Sequence, residues 1–69
     1  MDAAYREKYS IFGDKTYPIH SKQDAIDALG LRGHAGNKER RRKIIRVAAR
    51  WAPQAAAKAL KEDKAKGLV

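Results

Sequence analysis

The sequence contains no cysteine, and no run of its apolar residues approaches the roughly 18 needed to cross a bilayer. The first absence excludes a disulfide framework, a zinc finger or ribbon and a thiol nucleophile, although disulfides and metals are the usual supports of chains near this size. The second excludes a helical membrane span. The segment Met1-Asp2-Ala3-Ala4-Tyr5 also lacks the basic and apolar regions of a signal peptide, so the reading is a soluble protein without a membrane partner. Length is short as well: 69 residues make one small domain, and near this size folding removes only about 60% of the surface that the unfolded chain exposes. A thin core of this kind gives no basis for a deep pocket. The expectation is a protein that is not an enzyme, with no small-molecule substrate, no cofactor and no catalytic residues.

Carboxylates are scarce too, 8 against 16 Lys and Arg, which leaves a formal charge of +8. The excess is local. Residues 1–31 hold four cations against five carboxylates, and residues 53–69 hold four against two. Between them, Arg32, Lys38, Arg40, Arg41, Arg42, Lys43, Arg46 and Arg50 face only Glu39. Six of the seven arginines lie in that segment, and the planar guanidinium fork suits phosphate and carboxylate. Like charges at this density imply an anionic partner.

Local signals divide the chain into an N-terminal helix or extended arm (1–20), a helix-loop-basic helix core (21–52) and an Ala/Lys-rich helix (53–69). Residues 2–10 tolerate a helix that places Tyr5 and Tyr9 on one face, and so short a helix forms only if those rings dock. A turn approach at Ile11-Phe12-Gly13-Asp14 and an extended Lys15-Thr16-Tyr17-Pro18-Ile19 follow, because the residue before proline is pushed towards the β region. Ser21 with Asp24 three residues on is a capping signal for a helix through Leu29, with Gly30 as a left-handed stop and Leu31 in the contact that accompanies such a stop. After the glycine-bearing loop 30–37, Asn37 caps a basic helix near 37–51, and Pro53 opens a last helix near 53–66 that has little to pack and ends at Gly67. The fold class expected is all-α, a miniature domain of three to four helices with an extended arm.

On the basic helix, about 100° per residue sorts Ile44, Val47, Ala48 and Trp51 onto one stripe, widened by Ile45 and Ala49, and Glu39, Arg42, Lys43, Arg46 and Arg50 onto the opposite arc. Arg40 and Arg41 lie above the stripe, where they would cover the end of the core with their stems or reach past it. The core predicted is Tyr17, Ile19, Ile26, Leu29, Leu31, Ile44, Val47, Ala48 and Trp51, the alternative for Trp51 being to stack on a base or anchor in a partner's groove, which its place on the apolar stripe disfavours. Arg40, Arg41, Arg42, Lys43, Arg46 and Arg50 are the candidate contacts for phosphate or for an acidic surface, the plainer reading being a solvated face. Sequence-specific DNA reading is disfavoured, because the loop is longer than a helix-turn-helix turn and the helix lacks Asn, Gln and Ser to read base edges. His20 and His34 have no ligand-spaced partners and no metal is expected. Asp24 and Asp27 suit an early helical turn, and Ser10, Thr16 and Ser21 have no triad context.

The run from Phe12 through Lys15-Thr16-Tyr17-Pro18-Ile19-His20-Ser21-Lys22, a helix with Asp24, Ala25 and Ala28, a glycine loop, and Arg41-Arg42-Lys43-Ile44-Ile45-Arg46 with Ala48-Ala49 resembles a small domain that recurs in tailed-bacteriophage proteins. That domain is found as short stand-alone proteins and as an appendage of head-assembly proteins. Thr16 between Lys15 and Tyr17, and Gln23-Asp24 where a histidine-alanine pair is frequent, depart from its pattern. The resemblance implies a virion protein of the head, minor capsid or decoration type, present in the host cytoplasm during assembly, with the major capsid or another virion protein as partner. Tyr5, Tyr9, Phe12 and Tyr17 would then be the arm's contacts, and the Arg face would meet acidic capsid or packaged DNA. The alternative is a nucleic-acid-binding phage protein without sequence preference, acting in the infected cell.

Overall fold

The computed structural model describes residues 3–12 and 17–69. The expected turn at Gly13-Asp14 and the extended Lys15-Thr16 lie outside the described residues, as does Asp2. The protein is all-α, with helices α1 (Ala3–Tyr9), α2 (Lys22–Gly30), α3 (Lys38–Ala48) and α4 (Pro53–Ala65) and a 3-10 turn at Arg32–His34. Among the described residues there is no strand; Ser10 and Pro18 form one isolated antiparallel bridge, and the Ile19 N–H donates to the Tyr9 carbonyl (3.1 Å).

Helices α2 and α3 begin where the sequence supplies a side-chain cap, and α4 where it supplies a proline. The Asp24 N–H donates to Ser21 Oγ (3.1 Å), and the Arg40 N–H donates to Asn37 Oδ1 (2.8 Å). Pro53 occupies the first turn of α4, where its missing N–H costs nothing. The same helix closes at Gly67, which takes φ +69°; the Leu68 N–H reaches the Asp63 carbonyl (2.8 Å) and the Gly67 N–H reaches Lys64 (3.2 Å). This is the paired Schellman closure that a left-handed glycine permits. Gly30 does not close α2 in this way. Leu31, with φ −102°, ends the helix, its N–H shared between the Asp27 and Ala28 carbonyls (both 3.1 Å), and the chain tightens into the 3-10 turn.

The core is Ile19, Ala25, Ala28, Leu29, Ala35, Ile44, Ile45, Ala48, Ala52, Ala56 and Ala59, with Phe12, Tyr17, Val47, Leu60 and Val69 packed at its edge. Ile44 is the largest fully buried apolar side chain, and burying one of this size contributes about 1.5–3 kcal/mol. Small side chains fill most of the rest. They let α2, α3 and α4 approach closely, so the alanine-rich last helix packs through Ala56 and Ala59, against the expectation that it has little to pack.

Three predicted core residues are not core: Ile26, Leu31 and Trp51 are 41%, 54% and 38% exposed. On α2 the inward residues are Asp24, Ala25, Ala28 and Leu29, and Ile26 falls just past that arc. Leu31 follows a helix end that is not left-handed, so the contact expected of it has no geometry to form. For Trp51 the 3.6-residue period does not apply, because α3 stops at Ala48 and the chain turns through 49–51. A fourth difference is Tyr17, which has φ +48° rather than an extended conformation. Its phenol donates to the Leu31 carbonyl (2.8 Å) and its ring meets Phe12 edge-on, 5.9 Å between centroids. These two tethers hold a backbone that costs on the order of 1–3 kcal/mol for a residue other than glycine.

Candidate polyanion-binding face

The six candidate cations of α3 and its following turn separate into three environments. Arg41 turns inward to Asp63, whose side chain is 1% exposed: Nε lies 2.7 Å from Oδ2 and Nη2 3.3 Å from Oδ1. Arg32 bonds the same two carboxylate oxygens, at 2.9 and 3.2 Å, and also donates to the Leu29 carbonyl (2.7 Å) and to Glu62 (3.4 Å). The hydrogen bond from Arg41, reinforced by Arg32 against the cost of burial, holds the Asp63 carboxyl at about 2, below its ordinary 3.8. The same bond pushes the Arg41 pKa up. Two of the eight cations between Arg32 and Arg50 are thereby turned to an internal partner.

Arg40 and Lys43 are half-buried over the arm. The Arg40 guanidinium carbon lies 4.5 Å, and the Lys43 ammonium 5.4 Å, from the centroid of the Phe12 ring. Such cation–π contacts pin the arm along α3. Arg42 and Arg46 remain exposed, one helical turn or about 6 Å apart along the axis, and Arg50 follows in the turn after Ala48. Among the described residues no carboxylate forms an ion pair with these three. Glu39, three residues before Arg42 on α3, is the one carboxylate of that helix, and it forms no ion pair with them among the described residues.

A ladder of rings runs from α1 to the turn after α3. Tyr5 and Tyr9 lie 4.7 Å apart between centroids, Tyr9 stacks on His20 at 4.0 Å and 16°, and His20 meets Trp51 at 5.5 Å. The Tyr5 phenol donates to Asp24 Oδ2, which also accepts the His20 N–H (3.1 Å), and that bond to a carboxylate pushes the phenol up to about 12. The expected docking of the two tyrosines is thus met within the chain. Tyr5, Tyr9, Phe12 and Tyr17, the candidate partner contacts, all have partners inside the molecule.

No protein-family model, no curated protein and no solved structure matches the chain.

Ile26 and Leu31 line an open groove of about 820 Å³ with Tyr17, Pro18 and His34. Among the described residues no group of three or more His, Asp or Glu side chains stands close enough to hold a metal ion. Sequence reasoning misses Asp63 and the part played by His20. The Asp63 signal is present: residue 63 continues the stripe of Ala52, Ala56 and Ala59 at helical spacing, so a carboxylate there must enter the core and find cations. His20 carries no such pattern, since its stack is assembled from α1 and the turn after α3.

Proposed function

We propose that the chain is a small basic virion protein of a tailed bacteriophage, associated with the head, that seats α3 on an anionic surface. That surface is an acidic face of the major capsid or another virion protein, or the packaged DNA. The observation that carries this reading is the row Arg42, Arg46 and Arg50, exposed and without an ion-pair partner among the described residues, while Arg32 and Arg41 are turned inward to Asp63. The phage setting rests on the likeness of the 12–51 stretch to the domain of head-assembly proteins. The role is binding, not catalysis, and it is exercised in the virion and in the host cytoplasm during assembly. Mass spectrometry of purified particles tests it: the chain present at many copies per particle is the expected result, and its absence from particles overturns the virion role.

A second reading, a nucleic-acid-binding protein without sequence preference in the infected cell, is favoured by one feature. The exposed ring of Trp51 stands next in the chain to Arg50, at the end of the cation row.

A further inference from the structure

We propose that the surface formed by Trp51, His20 and the Arg42–Arg46–Arg50 row is a binding site for single-stranded nucleic acid, with an unpaired base stacked on Trp51 and the strand's phosphates along the row. The inference rests on the second reading above and names its ligand class.

Three observations carry it. Trp51 is 38% exposed at a position where helical periodicity alone would have buried it, so part of its apolar surface meets water at the residue that follows Arg50 in the chain. The backbone N–H of Trp51 donates to the Ala48 carbonyl (3.0 Å) in the turn that ends α3, and the indole ring itself meets His20 at 5.5 Å, tilted by 59°, with His20 in turn stacked on Tyr9. A stacking platform fixed before binding loses little freedom when a base arrives. The preceding residue is Arg50, whose backbone N–H donates to the Val47 carbonyl (3.1 Å), and Arg46 and Arg42 continue the charge back along α3, about 6 Å apart along its axis.

A rigid exposed ring at one end of a cation row is the pairing that tracks a single strand: phosphates are neutralised in sequence while bases of any identity stack on the ring. A duplex can use the row but not the ring, because its bases are already stacked on one another. The proposal therefore separates from a general attraction to phosphate. It requires Trp51 to matter for single strands and not for duplex.

Trp51 is the only tryptophan, so its fluorescence reports on the site directly. The full chain is titrated with dT and rU oligonucleotides of about 10 residues, within the usual site sizes, and with a DNA duplex. The expected result is quenching of Trp51 by a single strand but not by duplex, the tighter of dT and rU naming the source. Trp51→Ala should lose roughly 10-fold in single-strand affinity, measured by anisotropy of a labelled oligonucleotide, with duplex affinity unchanged. Trp51→Phe should recover part of that loss and serves as the variant that keeps the fold, checked by far-UV circular dichroism. Equal binding of duplex and single strand without quenching would overturn the stacking site while leaving the nucleic-acid reading in place. Binding to none of the three would overturn both.

Discussion

Replacing Asp63 by asparagine removes the one negative charge that two guanidiniums share inside the molecule. Asp63→Asn keeps the volume but can no longer accept the four hydrogen bonds at 2.7–3.3 Å from Arg32 and Arg41, and it leaves two cations, 17% and 18% exposed, facing each other. The carboxyl sits at about 2 in the folded protein against an ordinary 3.8. That difference is worth about 2 kcal/mol of folding stability at neutral pH, at about 1.4 kcal/mol per unit. Removing one partner of a buried ion pair costs about 3–5 kcal/mol, and because both arginines reach water at their edges the expectation lies at or just below the bottom of that range, about 2–3 kcal/mol. A domain of this size has only about 3–10 kcal/mol in all, so the melting temperature should fall by roughly 10–20 °C. The pH dependence follows from the direction of the shift. A carboxyl depressed in the folded state contributes fully above its unfolded value near 4, and the contribution is lost as pH falls towards 2. Urea unfolding followed by circular dichroism should therefore show a gap of about 2–3 kcal/mol between the two proteins at pH 7 that narrows sharply at pH 2.5. A cost under about 0.5 kcal/mol at pH 7, or a gap that does not change with pH, would refute the reasoning.

Other substitutions probe the remaining supports. In an ultraviolet titration one tyrosine, Tyr5, should ionise near 12 and disappear from the curve in Tyr5→Phe; because that value is raised, the stability it brings is present below about 10 and lost as pH climbs through 12. Gly67→Ala forces a side chain onto φ +69°, and Asn37→Ala removes the cap of α3; each should cost about 1 kcal/mol in urea melts. Ile26→Ser should change stability by less than about 0.5 kcal/mol because Ile26 lies outside, whereas Ala28→Leu should cost about 1–3 kcal/mol by overfilling a helix contact, and the reverse ranking would contradict the observed core.

What can be read in the sequence is what depends on neighbours in the chain. Ser21, Asn37 and Pro53 act within one helical turn of themselves, and each opens its helix as their spacing predicts. The amphipathic split of 38–48 likewise needs only the helical period. Long-range features are less legible. Trp51 reads as buried only if the period is extended three residues beyond the point where α3 ends, and Ile26 and Leu31 read as buried only if large apolar residues are weighted over the alanines that line the helix contacts. Arg41 reads as a candidate for an outside partner; its carboxylate is 22 residues away on α4, where no local rule could pair them. Arg42 and Arg46 are the part of the candidate face where helical periodicity and exposure agree, and Arg50, also exposed, lies in the turn beyond α3.

If the protein's charge acts through that row, the salt dependence of binding to a 20-base-pair duplex should reveal it most directly, compared between the native protein and the triple variant Arg42→Ala, Arg46→Ala, Arg50→Ala. The logarithm of affinity should fall steeply with the logarithm of salt concentration, and the slope of the variant should be shallower by about 2–3, close to 0.9 for each phosphate that the variant no longer neutralises. A variant with the native slope and affinity would contradict a role for the row.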